Sequence, residues 1–280
     1  MAKYPIRISS KHNWWNLNLK EVWQYRDLIG LFTKRSFAVV YKQTILGPAW
    51  IFLTPLLNSI VQAFVFGGIA GIGTDGVPTL LFYLCSNAIW TFFASCLTKN
   101  ANTFAANADV FGKVYFPRLT TPLSIVLSAA INFLVQMTLV LALLAYYVLR
   151  GMVFPHWETW LLLPVEILHL GILGMGFGII ISSLTTKYRD LCILVEFGVS
   201  LWMYITPIVY PLSTVGEGWM RTALLCNPVT PAVEVLRYGL LGQGSIHWGF
   251  YGLSWLVTIC VSILGIAIFN RVERTFMDTV

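Results

Sequence analysis

Six long apolar segments restrict the fold of this chain more than any other feature of its sequence. They occupy roughly residues 48–72, 78–98, 119–149, 159–186, 191–211 and 246–270. A helix that crosses a bilayer needs about 20 mainly apolar residues, and the first three segments contain no Asp, Glu, Lys or Arg. Strands of a transmembrane barrel would instead alternate in polarity over about ten residues. The sequence therefore predicts an all-α membrane protein with six transmembrane helices.

The distribution of basic residues predicts how these helices are oriented. Of the Lys and Arg residues, 15 lie in the N-terminal segment, the loop 99–118, the turn 185–191 and the C-terminus, and 3 lie on the other side. Lys and Arg concentrate in cytoplasmic loops, so both termini are expected in the cytoplasm. The same bias accounts for the net charge of +6 without a nucleic-acid partner. Residues 1–46 contain no early apolar core, so we expect no cleavable signal peptide.

The N-terminal segment, residues 1–46, precedes a transmembrane domain over 47–280 and contains an amphipathic stretch. Apolar residues recur at helical spacing between Leu19 and Ser36, with charged residues on most of the remaining surface. Such a helix is too polar to span and lies along the membrane surface. It is either a basic surface anchor or a docking collar for a cytoplasmic partner. The candidate collar residues are Val22, Tyr25, Arg26, Ile29 and Phe32.

Residues that could perform catalysis or bind a metal are not clustered in this sequence. The four histidines are far apart, the five cysteines are scattered without a CxxC pair, and no GxxxxGK[ST] phosphate loop occurs. The sequence thus argues against an enzyme, a metal site and ATP hydrolysis by that loop. Glu166 and Glu196 are acids within predicted spans and so are functional candidates. Both lie near span ends, where snorkelling and neighbouring polar groups would relieve their cost. Glu166 is close enough to share a hydrogen bond with His169. A proton relay and a structural or pore-lining role remain open.

Aromatic side chains are abundant along the second and fifth apolar segments. Aromatic rings stack on sugar rings through weakly directional contacts, which suits a sliding polysaccharide. Ordinary packing and an interfacial belt explain any single ring equally well. The candidate glycan-path residues are Tyr83, Trp90, Phe93, Trp202, Tyr204 and Tyr210.

Five motifs in a fixed order carry a resemblance to a known family. They are LGPAWIFLTPLL, GKVYFPR, TTKYRDL, ITPIVYP and NPVTPAVEVLRYGLLG. With them, the whole chain resembles the membrane (permease) subunit of type-2 ATP-binding-cassette exporters for cell-surface polysaccharides. That family includes exporters of O-antigen, capsular polysaccharide and wall teichoic acid.

The resemblance implies a non-catalytic subunit of the bacterial cytoplasmic (inner) membrane that moves a lipid-linked glycan outward. Two copies would form a homodimer with the pore between them, paired with two ATPase subunits. ATP and Mg would bind to those partners, so this chain itself would hold no cofactor. Two alternatives stay open: a type-2 exporter of drugs or small lipids, and a membrane-embedded glycan-modifying enzyme, which lacks a catalytic cluster here.

The resemblance also assigns roles to particular residues. The collar would ring the pore on the cytoplasmic side. Asn107 and Asp109 would lie on a coupling helix inserted into the ATPase, and Lys187, Arg189 and Asp190 would make a second cytoplasmic contact. Residues of about 212–245 would form short re-entrant helices at the outer exit; an interfacial helix resting on the outer leaflet is the alternative. The candidate exit residues are Asn227, Glu234, Arg237 and Tyr238.

Overall fold

Helices make up the regular structure of the chain wherever its structure is described. The computed structural model describes residues 19–41, 45–111, 116–185 and 190–276, and these ranges contain no strand. This confirms the predicted all-α fold class. The α-helices are α1 (Leu19–Gln24), α2 (Arg26–Tyr41), α3 (Trp50–Gln62), α4 (Thr79–Ala101), α5 (Thr103–Phe111), α6 (Thr120–Leu149), α7 (Leu163–Thr185), α8 (Leu191–Ile205), α9 (Trp219–Cys226), α10 (Val229–Leu241) and α11 (Trp248–Phe276). The structure also contains three short 3-10 segments, at Gly47–Ala49, Trp157–Leu162 and Leu212–Thr214. A π-helical segment lies at Ala63–Ile69.

Within the described ranges, five helical segments are long and apolar enough to cross a membrane. They are Gly47–Ile69, Thr79–Ala101, Thr120–Leu149, Trp157–Thr185 and Trp248–Val272, and they coincide with five of the six predicted spans. The remaining prediction, 191–211, extends beyond the helix found there, because α8 ends at Ile205. Thr206 is extended, with ψ of 139°, as expected for a residue that precedes a proline. Helix α8, in the fifth predicted span, is therefore shorter than predicted.

Helix α4 lies at the centre of the bundle, between α3, α6, α7 and α8. Its closest neighbour is α7, because Gly174 and Gly178 leave no side chain between the two helices. A Cβ at Gly178 would lie 2.7 Å from the carbonyl oxygen of Leu97, and one at Gly174 would lie 2.7 Å from Cβ of Cys96. Small residues allow membrane helices to approach closely where lipid offers no hydrophobic driving force.

One end of the bundle, here called the basic end, carries α1, α2 and α5. The ring of Phe104 stacks on Phe269 with centroids 4.6 Å apart, and Phe32 of α2 contacts Phe116 at 5.7 Å. The single amphipathic helix predicted over 19–36 is instead two helices, interrupted at Tyr25, and the second continues to Tyr41. A short helix in the loop 99–118 was predicted and is present as α5.

The other end, here called the hairpin end, carries α9 and α10 between α8 and α11. Helix α9 exposes most of its residues, with Trp219 80% accessible, and buries Leu224 and Leu225. In α10 every residue except Tyr238 is buried. A helix resting on a surface would expose one face, whereas α10 is enclosed by protein; the re-entrant arrangement over about 212–245 stays a prediction.

Candidate functional site at the hairpin end

The entry into α10 is fixed by the side chain of Asn227. Its Oδ1 accepts hydrogen bonds from Nε1 of Trp202 and from the backbone N–H of Val229, both at 3.2 Å. Its Nδ2 donates to Oγ1 of Thr206 at 2.9 Å. One amide thus ties the start of α10 to the end of α8, and it pairs the backbone N–H of Val229, one of the donors that the first turn of a helix leaves unpaired.

The far end of α10 is held against the segment that follows α6. The carbonyl oxygen of Gly239 accepts hydrogen bonds from the N–H of His156 at 3.1 Å and from Nε1 of Trp160 at 3.0 Å. The ring of Tyr238 stacks on His156 with a centroid distance of 4.1 Å and an interplanar angle of 6°. Gly242 caps the helix with a φ of +70°, a conformation that favours glycine.

Glu234 and Arg237, one turn apart on α10, form a buried ion pair. Nη1 of Arg237 lies 3.5 Å from Oε1 of Glu234, and the two residues are 3% and 4% exposed, respectively. The guanidinium carbon lies 4.5 Å from the centroid of the Phe82 ring, within cation–π range. Burial raises the pKa of the Glu234 carboxyl above its usual range, and the charge of Arg237 acts against that rise. The structure therefore brings together the two charges that the sequence placed three residues apart.

A cavity of about 460 Å³ opens beside this ion pair. Its wall is rich in groups that can form hydrogen bonds or carry charge. The Asp75 carboxylate accepts a hydrogen bond from Oγ of Ser213 at 2.6 Å, which joins the α3–α4 turn to the chain after α8. The cavity can accommodate a polar or charged group of ligand size. Its polar and charged lining residues are Asp75, Ser213, Arg221, Glu234, Arg237, Gln243 and Ser245.

Most of the candidate glycan-path aromatics are packing residues in this conformation. Tyr83 and Phe93 are fully buried and Trp90 is 6% exposed. Trp202 lies T-shaped against Phe93, with centroids 5.4 Å apart. The rings of α4 fill the core because α4 lies at its centre, and a glycan path along these residues stays a prediction. Tyr204 is the accessible member at 57% exposed, and Tyr210 is half-buried.

Glu166 and Glu196 lie in very different surroundings. Glu166 is fully buried, with Oε2 3.2 Å from Nδ1 of His169, so the expected hydrogen bond is confirmed. Of the two expected ways to relieve Glu166, snorkelling is wrong, since none of its surface is accessible, and a neighbouring polar group is present in His169. Nε2 of His169 lies 3.0 Å from Oγ1 of Thr258 and 3.1 Å from Oγ of Ser254, both on α11. Glu196 is exposed on α8.

The candidate contacts at the basic end are only partly described. Asn107 is half-buried and departs from helical geometry, with φ of −121° and ψ of 15°. Asp190 is exposed at the start of α8. The Asp109 side chain, Lys187 and Arg189 lie outside the described residues. Of the collar residues, Val22 is buried, Arg26 is exposed, and Tyr25, Ile29 and Phe32 are half-buried.

Sequence reasoning missed two sets of residues that position the site. The first comprises Gly174 and Gly178, whose spacing on α7 was visible as a small-residue pattern. The second is a polar group between the first two spans, where Nδ2 of Asn87 donates to Oγ of Ser59 at 2.9 Å and to Oε1 of Gln62 at 2.8 Å. Polar residues in two consecutive apolar segments were the available signal. Within the described ranges no three His, Cys, Asp or Glu side chains converge to hold a metal ion.

Fold and site together define a multi-pass helical membrane protein with a buried, non-spanning helix and a charged cavity at one end. Residues 27–241, more than half of the chain, match the ABC-2 type transporter family, and the chain belongs to that family. The chain is 28% identical over 255 residues to two proteins of Klebsiella pneumoniae named O-antigen export system permease protein RfbA, covering 90% of this chain and 94% of each relative. A Myxococcus xanthus protein of the same name is 28% identical over 215 residues, covering 75% of this chain and 79% of the relative.

Proposed function

We propose that this chain is the transmembrane subunit of an ATP-driven exporter that moves a lipid-linked polysaccharide across the cytoplasmic membrane. The observation that carries the proposal is its similarity to O-antigen export permeases over 94% of their length. Membership of the ABC-2 family makes the chain a transport subunit and implies a separate ATPase. ATP and Mg would bind to that partner.

The geometry of the two ends supports a direction of transport. The basic end carries α5, Lys99, Arg118 and Arg271, and Lys and Arg favour the cytoplasmic side. The hairpin end would then face outward. Irregular backbone at membrane depth is tolerated where it is buried in protein or lines a watery cavity, and the hairpin end offers both settings. We therefore assign the export exit to the hairpin end and ATPase coupling to the basic end.

The accessible face of α8 supports a pore between two copies of the chain. Glu196 lies on that face, beside exposed apolar residues such as Phe197 and Leu201. A carboxylate facing lipid is costly, so charged residues in spans face a bundle interior or a water-filled space. A second copy of the chain placed against α8 would provide that space for Glu196.

The proposal is tested by removing the chain from its host and following the glycan. We expect surface glycan to disappear and its lipid-linked form to accumulate in the cytoplasmic membrane. The intact chain should restore display only together with an active ATPase subunit. Normal surface glycan in the absence of the chain would refute the proposal, and accumulation of a drug or small lipid would assign a different cargo.

Coupling to the ATPase is tested by reversing a charge on α5. Replacing Asp109 with Lys is expected to weaken ATPase association on the order of tenfold, equivalent to about 1.4 kcal/mol, because a charge in the docking segment changes sign. Affinity is measured with purified subunits in detergent. The matched control is Glu217→Lys, the same reversal at an exposed position of the hairpin end. Equal weakening by both variants would contradict a coupling role for α5.

A further inference from the structure

The guanidinium of Arg237 has donors that the described protein does not use. Nε and Nη2 are both buried, and neither has a hydrogen-bond partner. The contact from Nη1 to Glu234 measures 3.5 Å, which is long for a hydrogen bond, and Oε1 of Glu234 also lacks a hydrogen-bond partner. Charge pairing is therefore present at this site, whereas hydrogen bonding is incomplete.

The two unused nitrogens form one edge of the guanidinium plane. Two parallel N–H donors in fixed geometry match the two oxygens of a carboxylate or phosphate group. A buried charged donor without an acceptor is costly, and native proteins rarely leave one unpaired. Because the described part of the chain supplies no acceptor for this edge, a ligand is the natural source of one.

The cavity beside Arg237 has the size that such a ligand needs and a second cation in its wall, Arg221. Asp75 and Glu234 are the acidic residues of the wall, and Asp75 accepts a hydrogen bond from Ser213. Gly244 lies so close to Glu234 that an added Cβ would be 3.0 Å from Oε2. The absence of a side chain there leaves the cavity wall beside the ion pair uncrowded. A volume of about 460 Å³ falls within the range of small-ligand sites.

We propose that this cavity binds a phosphate-class oxyanion, which Arg237 holds bidentately and Arg221 attracts. The cavity adjoins the turn between the first two spans, where Ile69 ends one helix and Thr79 begins the next. Span ends lie at the level of lipid headgroups, where phosphate is the prevailing oxyanion. Two sources of phosphate fit this position, a bilayer headgroup and a phosphate on the lipid part of a lipid-linked substrate. We assign the second, an assignment that rests on the proposed function.

A protection assay tests the site without measuring transport. Ser245, an exposed residue of the cavity wall, is replaced by Cys in a full-length chain whose five native cysteines are alanine. The purified protein in detergent is treated with a bulky maleimide, with and without inorganic pyrophosphate. We expect pyrophosphate to slow labelling about fivefold, because a ligand of this size fills a cavity of this class. Labelling that pyrophosphate leaves unchanged would overturn the site.

Three further substitutions ask whether Arg237 is the ligand-binding group. Arg237→Lys keeps the positive charge and loses the two parallel N–H donors of the guanidinium. The pyrophosphate concentration that gives half-maximal protection should therefore rise about tenfold. Glu234→Gln removes the carboxylate that competes with pyrophosphate for Arg237. The pyrophosphate concentration for half-maximal protection should therefore fall about threefold. Arg150→Gln removes an exposed cation of the neighbouring loop that does not line the cavity, and it should have no effect. If Arg237 serves only to pair with Glu234, pyrophosphate will protect the first two variants at the same concentration as it protects the parent.

A lipid comparison separates the two sources of phosphate. The Ser245→Cys protein is reconstituted in phosphatidylglycerol vesicles and labelled without pyrophosphate. Labelling as rapid as in detergent supports a substrate phosphate. Slow labelling in the absence of pyrophosphate assigns the site to a bilayer headgroup and overturns the substrate assignment. Protection by pyrophosphate in a chain that fails to export glycan would remove the proposed function and leave the oxyanion site intact.

Discussion

Replacing Gly178 with valine is expected to prevent most of the protein from reaching a stable folded state. An added Cβ would lie 2.7 Å from the carbonyl oxygen of Leu97 and 3.2 Å from the backbone nitrogen of Ala101. Both atoms belong to the helical backbone of α4, so they cannot rotate aside as a side chain does. Overpacking a core typically costs about 1–3 kcal/mol. Here two helices must separate, and we expect a cost beyond that range.

The experiment compares Gly178→Val with the same substitution at Gly252. Gly252 is exposed on α11, and a Cβ there meets nothing within 4 Å. Both variants place a β-branched residue in a long apolar helix, so helix propensity and membrane insertion change alike. Membrane abundance and the monodisperse fraction in detergent should fall several-fold for Gly178→Val and stay near the parent for Gly252→Val. Similar losses in both would show that the α4–α7 contact tolerates a wider spacing.

Loss of the α4–α7 contact would also disturb the hairpin end. Helix α7 begins beside α10 and ends at the basic end, where Oγ1 of Thr185 donates to the carbonyl oxygen of Ala101 at 3.0 Å. Its other face packs on α11 through His169, Ser254 and Thr258. The packed helices α4, α7 and α11 therefore connect both ends of the molecule. Displacing α7 would change the support of α10 as well as the core.

The spans could be predicted from sequence because lipid leaves a chain few options. Backbone N–H and C=O groups must be paired within each segment, so a long apolar run has to be helical. The predicted span 119–149 differs from α6, Thr120–Leu149, by one residue at its start. The shortened α8 was also predictable in principle, since Pro207 lies inside the run assigned to the fifth span.

Side-chain environments within the spans could not be predicted in the same way. Hydropathy identifies an apolar helix, and it does not show which helix becomes the centre of a bundle. Tyr83 and Tyr204 are both aromatic residues of apolar segments, yet one is fully buried and the other is 57% exposed. Likewise Glu166 and Glu196 differ because α7 is enclosed by α4 and α11, whereas α8 presents an open face. These differences arise from contacts between residues distant in sequence.

The buried and accessible aromatics should respond differently to truncation. Trp90 contacts Phe93 and Trp202 with centroid distances of 5.5 Å and 6.5 Å, so Trp90→Ala removes a ring from the core of the bundle. Such a change typically costs about 3–5 kcal/mol, a large part of the roughly 5–15 kcal/mol that keeps a protein folded. We expect folded protein to be largely lost, and glycan export with it.

Tyr204→Ala should leave the amount of folded protein unchanged and lower export per molecule. An exposed ring contributes little to packing, and stacking on a sugar is worth about 1 kcal/mol per ring, so the loss of export should be modest. Surface glycan is divided by membrane-protein abundance for each variant. Tyr146→Ala, which removes another exposed tyrosine near the end of α6, is the matched control and should retain export. If Trp90→Ala folds normally and exports poorly, Trp90 contacts the glycan in another conformation. If Tyr204→Ala exports normally, the exposed face of α8 does not contact the glycan.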